Sequence, residues 1–380
     1  MRVVVAIDSF KGSLSSYEAN QSACAGIKNA VPNAELSIFP MADGGEGTVD
    51  ALIEKMRGEK VAVSVTGPLY KKVQASYGIV REESMAVIEI AEACGLPLLD
   101  AKELDPSLTT SYGVGELIAH AYQEGCRKFV IGLGGSATND GGVGMLQALG
   151  FKFLDYERAE INYGGEELSR IHKIEATDES DKYRDCDFRV ACDVTNLLCG
   201  NHGASYIFGP QKGANPEMVI RLDKCLENFA QTTFQELGIE LKNIEGGGAA
   251  GGLGAAFYGY LNGRLESGIN LVLDTLGIEE QIKEADLVIT GEGKMDGQTS
   301  MGKVPAGLAL LSSKHEVPVI GIAGNLTSDA YQLNHSGIQG VFSIQTAPIS
   351  MEKALDKEVA AFNIEKTVEQ IVRVSKLFAR

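Results

Sequence analysis

The chain has 380 residues, more than a single hydrophobic core ordinarily serves, so two domains are expected. Its formal net charge of -17 repels nucleic acid and anionic membrane surfaces, so a phosphorylated or carboxylated ligand must be met by local cations, metal ions or backbone N–H groups. Glycine is in excess at 45 residues and tryptophan is absent, a composition that suits many tight turns and close approaches of backbone to ligand.

The chain opens directly into MRVVVAID, which reads as a buried strand near Val3 to Ile7 rather than a signal peptide, so the cytoplasm is the expected compartment. A helix from about Ser16, a strand at Leu36 to Phe39 and a helix from about Gly45 to Met56 follow. Such alternation predicts a parallel sheet covered by helices. From Lys60 the apolar period becomes two, through Val61, Val63 and Val65, then Val73 to Ile79, then Val87 to Ile90, which predicts antiparallel strands. Asp105 and Pro106 are expected to open a helix running to about Glu124. A strand at Phe129 to Leu133 feeds a glycine-rich loop and another helix. The polar, patternless stretch from Asp155 to Tyr183 reads as an irregular surface excursion.

Further on come a strand at Phe188 to Cys192, a long helix near Pro216 to Leu237 and a second glycine-rich loop at Gly246. The uncharged stretch from Gly246 to Gly263 is too rich in Gly and Ala to span a membrane. From Ala285 the strand and helix alternation returns: strand Leu287 to Thr290, helix from Pro305, strands Val317 to Ile322 and Val341 to Ile344, and a last helix reaching Leu377. The expected fold is therefore α/β: residues 1–60 and 285–380 form one doubly wound parallel domain, and 61–284 form a mixed domain inserted into it. The seven cysteines show no CxxC spacing and read as reduced thiols, and the five histidines are scattered singly.

Five glycine-bearing loops at strand ends carry the chemistry-bearing residues. The first holds Asp8 and Lys11 ahead of a helix whose start, Ser15 with Glu18, has the spacing of a capping box. Open α/β sheets bind ligands beyond the carboxyl ends of their strands, so Lys11 is a candidate for phosphate or carboxylate; a solvated turn is the alternative. MADGGEGT places Asp43 and Glu46 among glycines, a donor pair suited to magnesium or substrate hydroxyls; a solvated acidic turn fits the loop equally well. GLGGSATNDGG contains a GxGxxA spacing at Gly132, Gly134 and Ala137, with Asp155 about 20 residues on, which raises a nicotinamide site as an alternative. Its polar side chains suit hydroxyls and phosphates better. GGGAAGGLGAA from Gly246 reads either as close packing or as backbone beside a phosphate. In TGEGKMDGQTSMGKVP, Gly297 to Lys303 nearly matches a P-loop, but Val304 stands where Ser or Thr would bind magnesium. That loop offers Lys294 and Lys303 for phosphate charge, and Glu292 and Asp296 for metal or proton work.

Taken together, VVVAIDSFKGSLSS, MADGGEGT, GLGGSATNDGG, ACDVTNLLCG, GPQKGA, GGGAAGGLGAA and TGEGKMDGQTSMGKVP resemble, in order and spacing along the whole chain, the bacterial glycerate kinases of the type 1 family. The resemblance implies two domains, one of them flavodoxin-like, with an active site in the cleft. It also implies ATP and magnesium as co-reactants and D-glycerate as acceptor. Two departures stand out. The family's GEGR-I-D pattern is here Gly291, Glu292, Gly293, Lys294, Met295, Asp296, and the usual Pro after DVTN is Leu197. Lys294 keeps the positive charge of Arg and lacks its bidentate fork.

Phosphoryl transfer asks mostly for positioning, charge neutralisation and a proton acceptor. Asp193 and Asp296 are the carboxylates expected nearest the reaction, one on magnesium and one as base, in either order. Lys11 and Lys303 would neutralise phosphate or the glycerate carboxylate. Gly134, Gly135 and Ser136 would cradle phosphate oxygens, with Thr138, Asn139, Gly291, Glu292 and Lys294 completing the nucleotide contacts, and Asp43 and Glu46 are further metal ligands. A non-catalytic small-acid sensor is the rival outside enzymology. The sequence leaves the choice of 2- or 3-hydroxyl open, as it does a homo-oligomer.

Overall fold

The computed structural model describes residues 1–45, 47–300 and 302–376. The chain divides into two compact units. The first comprises Met1–Asp43, Asp50–Met56 and the chain from Ile269 onward; the second comprises the described part of Gly44–Val49 together with Arg57–Gly268. The division falls at Gly268, ahead of the boundary at 284 expected from sequence.

In the first unit, Val3, Val4, Val5, Ala6 and Ile7 are all buried, as an uninterrupted apolar run must be when helices cover both faces of a sheet. The sheet has five strands in the order Ile338–Ser343, Val319–Leu326, Leu287–Met295, Arg2–Ile7, Glu35–Ile38, and every neighbouring pair is parallel. Counted along the unit's own chain this is the flavodoxin-like order 2-1-3-4-5, whose strand order reverses between Arg2–Ile7 and Leu287–Met295. Register pairs Val5 with Ile289 and Ile7 with Gly291, so the next residues at the carboxyl ends, Asp8 and Glu292, emerge from adjacent strands.

Helices Ser16–Ala30 and Lys357–Ser375 cover one face, burying Ala19, Ala23 and Ile27 against Ile364, Val368 and Val372. Their close approach needs Gly26, where a Cβ would come within 2.3 Å of the Glu365 carbonyl oxygen. The described C-terminal helix ends at Ser375; Leu377, expected as its last residue, lies outside the described residues.

The second unit is built on a six-stranded mixed sheet in the order Arg264–Glu266, Asp187–Ala191, Lys128–Gly132, Met85–Glu89, Lys72–Val80, Glu59–Thr66. Its first four strands are parallel and the last two antiparallel. Met85–Glu89 is thus only half as expected, antiparallel to one neighbour and parallel to the other.

Three sequence expectations need correction. The helix after Pro106 starts at Tyr112, because the backbone of 107–111 is engaged elsewhere. Ser107 N–H donates to Asp105 Oδ1 at 3.0 Å, Thr110 N–H to Pro68 O at 3.0 Å and Ser111 N–H to Asp140 Oδ2 at 2.7 Å. The stretch 155–183 is not a surface excursion: Ile161, Leu168, Ile171, Ile174 and Tyr183 join the core, and Lys173–Glu175 pairs with Lys152–Leu154. Its apolar residues are simply too widely spaced to show a period. Lastly, the strand expected to stop at Thr290 runs through glycines to Met295, paired with Leu326. Glycine is required there by close packing, since a Cβ on Gly291 would sit 2.6 Å from Ile322 O.

Among the described residues no helix is long and apolar enough to cross a membrane, and all seven cysteines are free thiols.

Candidate active site

The end of the first strand is held from behind. The fully buried Asn20 accepts from Ile7 N–H at 3.2 Å and donates to Ile7 O at 2.9 Å, and Ser16 Oγ donates to the same oxygen at 2.6 Å. Ser15 and Glu18 form the expected capping box at the start of that helix. Asp8 follows at once, with its N–H on Gly291 O at 2.9 Å and its Oδ1 accepting from Ser9 N–H at 2.6 Å. Burial pushes its carboxyl up to about 7; the Ser9 hydrogen bond opposes that shift, and the negative charges of Asp43 and Glu292 reinforce it.

Glu292, on the neighbouring strand, is 7% exposed. Its Oε1 accepts from Thr299 Oγ1 at 2.6 Å and its Oε2 stands 3.6 Å from Lys303 Nζ. Burial raises its pKa, against the pull of Thr299 and Lys303. Lys294 extends toward solvent and pairs with Asp296 at 2.8 Å, while Asp296 N–H donates to Thr299 Oγ1 at 3.1 Å. Lys11 rides on a tight turn in which Phe10 N–H donates to Leu14 O at 2.8 Å and Ser13 N–H to Phe10 O at 2.8 Å, with Gly12 at φ 79°. Among the described residues its ammonium makes no ion pair.

Lys11, Asp43, Glu292, Lys294 and Lys303 therefore meet, with Asp8, around one cavity of about 640 Å³. Of the other first-unit residues expected from sequence, Asp296 pairs with Lys294 and Gly291 pairs within the sheet. Glu46 lies outside the described residues. No group of three or more His, Cys, Asp or Glu side chains among the described residues is arranged to hold a metal ion by itself. The donor set still fits magnesium, which is commonly held by one or two carboxylates plus phosphate oxygens and water.

In the second unit the glycine-rich loop after Lys128–Gly132 turns its side chains inward. Ser136 is 5% exposed and Thr138 and Asn139 are fully buried, whereas Gly134 and Gly135 are exposed. A wholly buried lysine, Lys212, donates to Ser136 Oγ at 2.9 Å and to Thr138 O at 2.7 Å; burial pushes its pKa down to about 8. Asn139 Nδ2 donates to Ser205 Oγ at 2.9 Å, and the buried Asp140 accepts from the Ser111 and Gly142 backbone. Among the described residues Thr138 Oγ1 and Asn139 Oδ1 find no protein partner. Asp193, exposed past the end of Asp187–Ala191, accepts from Gly268 N–H at 2.9 Å.

The nicotinamide alternative fails on geometry. No helix opens at Ala137, the next one being Val143–Ala148, and Asp155 caps its own turn through Glu157 and Ala159 N–H and pairs with Arg170 at 2.8 Å. The glycine run from Gly246 packs against the loop at 132–142: Gly141 N–H donates to Gly251 O at 2.9 Å, and a Cβ on Gly251 would lie 2.0 Å from Thr138 O.

Sequence reasoning placed Asp8 near a site without giving it a role, and passed over Lys212. The first could have been weighed from its place at the end of a buried strand, and the second from its setting between Pro210 and Gly213, a lysine among residues of a tight turn.

A doubly wound parallel sheet whose switch point gathers lysines and carboxylates, with a second unit presenting a glycine-rich loop at a strand end, defines an α/β phosphotransferase acting on an alcohol group. The sequence profile of the glycerate kinase family matches residues 3–376. The chain is 47% identical over 354 residues to glycerate 2-kinase of Escherichia coli (strain K12), covering 93% of each. It is 43% identical over 377 residues to glycerate kinase of Bacillus subtilis (strain 168), covering 99% of this chain and 98% of that one. A crystal structure assigned to glycerate kinase 2 from Salmonella typhimurium LT2 superposes with a TM-score of 0.92 at 43% identity, covering 100% of this chain and 99% of the other. The chain belongs to the glycerate kinase family, and a kinase of this kind requires a nucleotide phosphate donor.

Proposed function

We propose that the enzyme transfers the γ-phosphoryl group of ATP, with magnesium, to the 2-hydroxyl of D-glycerate. The observation that carries this reading is the gathering of Lys11, Lys303, Asp8, Asp43 and Glu292 around one cavity at the sheet's switch point. The choice of the 2-hydroxyl follows the name of the Escherichia coli relative. Magnesium bound with the nucleotide supplies charge neutralisation at the phosphates.

The chain's own residues do the rest. Lys11 and Lys303 set positive charge against phosphate, Lys303 being oriented by Glu292. Asp8, titrating near neutrality, takes the proton of the attacking hydroxyl, as a base matched to the working pH should. Asp43 is the metal-binding carboxylate at the first unit's cavity, and Asp193 and Glu46 are each candidate metal ligands in their own right. Asp296 holds Lys294 in place rather than acting on substrate. The exposed backbone of Gly134 and Gly135, with Ser136 behind it, offers N–H groups to anionic oxygens. The two compact units are the enzyme's two domains, and seven free thiols suit the reducing cytoplasm.

A coupled assay with D-glycerate, ATP and magnesium, its product read by NMR, tests this directly. The expected product is 2-phosphoglycerate. Formation of 3-phosphoglycerate would overturn the regiochemistry alone, and absence of turnover with either glycerate enantiomer would overturn the substrate.

A further inference from the structure

The cavity at the switch point is far larger than a three-carbon acid requires, at about 640 Å³, a size typical of sites for drug-sized ligands. Its two sides differ in chemistry. The strand ends contribute the lysines and carboxylates described above. The opposite wall comes from the segment between the last strand and the C-terminal helix: Ile344, Pro348, Ile349, Met351 and Leu355, with Phe10 beside them. Met351 and Leu355 are large apolar side chains 71% and 41% exposed. Polar groups with unmet hydrogen-bonding capacity lie on the same surface. Among the described residues Ser13 Oγ and Gln345 Oε1 are buried without a partner, and both residues line the cavity.

An apolar shelf, two orphaned polar atoms and a charged floor match the three parts of a nucleoside triphosphate: a flat base, edge groups that hydrogen-bond, and a polyphosphate tail. We propose that this cavity is the nucleotide subsite, with the base packed on the shelf of Ile344, Ile349 and Leu355 and the phosphates directed toward Lys11 and Lys303. The inference rests on the reading of the chain as an ATP-dependent kinase, and it moves the nucleotide away from the glycine-rich loop of the second unit. In that loop Ser136 Oγ and Thr138 O are taken by Lys212, and Asn139 Nδ2 by Ser205.

The test is a calorimetric titration of full-length protein with the non-hydrolysable analogue AMP-PNP plus magnesium, and separately with D-glycerate. Leu355→Asp changes a half-exposed residue, so folding is expected to survive, and a thermal melt within a few degrees of wild type checks it. The expected result is about a tenfold or greater rise in the AMP-PNP Kd for Leu355→Asp and for Lys11→Met, with D-glycerate affinity of Leu355→Asp within about twofold. Loss of D-glycerate affinity with AMP-PNP binding retained would assign the cavity to the acid and overturn the proposal. Unchanged AMP-PNP binding in both variants, or no AMP-PNP binding by the wild type, would overturn it as well. Its failure is distinct from failure of the proposed reaction, since a protein that binds AMP-PNP here yet does not phosphorylate D-glycerate loses only its acceptor assignment.

Discussion

Two glycine-rich regions of this molecule look alike in sequence and behave in opposite ways. At the switch point of the first unit, glycines at 291 and 293 let strands come together so that charged side chains project into open space. In the second unit, Gly141, Gly251 and Gly252 let two loops press against each other, and the neighbouring Ser136 and Asn139 side chains are engaged by Lys212 and Ser205. Glycine density therefore marks close backbone approach in both places, and the neighbouring side chains differ in whether they line an open cavity or turn inward.

The comparison can be broken most forcefully by removing charge from the open region. Lys11→Met and Lys303→Met are each expected to lower kcat/KM by about 10²–10³, the scale for losing one group that stabilises developing or transferred charge. Near-normal values in steady-state kinetics would mean that the cavity does not face the phosphates.

The packed region should respond in stability. Gly251→Ala demands a Cβ 2.0 Å from Thr138 O at a residue with φ 71°, and the expected loss is about 3 kcal/mol or more in urea denaturation. A loss under about 1 kcal/mol would show that the two loops separate easily.

Asp8 ties stability to pH in a way that sharpens the contrast. Its folded carboxyl holds a proton up to about 7, whereas the unfolded one releases it near 3.8, so ionisation across that window favours the unfolded chain. Stability is therefore expected to fall as pH rises from about 4 to about 7, by on the order of 2–4 kcal/mol, and Asp8→Asn should flatten the fall. Glu292, also raised by burial, acts in the same direction. Melting temperatures of wild type and Asp8→Asn at pH 5 and pH 8 check the sign.

Smallest of all is Gly12→Ala. The residue has φ 79°, but the nearest atom to an added Cβ is Leu355 Cδ2 at 3.8 Å, so only backbone strain of about 1–2 kcal/mol is expected. An effect equal to that of Gly251→Ala would erase the distinction between open and packed glycines.

Much of this was legible in the residues themselves. Val3 to Ile7, the capping box at Ser15 and Glu18, and the helix Pro216–Leu237 follow from apolar runs and local cap chemistry, which act over a few residues. The first-unit lysines and carboxylates that line the cavity stand at strand ends, where parallel sheets carry ligands. What stayed hidden depends on partners far along the chain. Met85–Glu89 takes opposite pairings on its two edges, 155–183 joins the core through residues too sparse to show a period, and the helix after Pro106 is delayed because Pro68 and Asp140 claim its first backbone groups. The same holds for titration: nothing local to Asp8 announces that burial, with Asp43 and Glu292 nearby, will carry its pKa to about 7.

The most direct test of the account is the turnover of Asp8→Asn with saturating D-glycerate, ATP and magnesium near pH 7.5. A general base at this position predicts a fall in kcat of about 10²–10⁴ with the melting temperature maintained or raised. A kcat within a few-fold of wild type would contradict the placement of the chemistry at the switch point of the first unit.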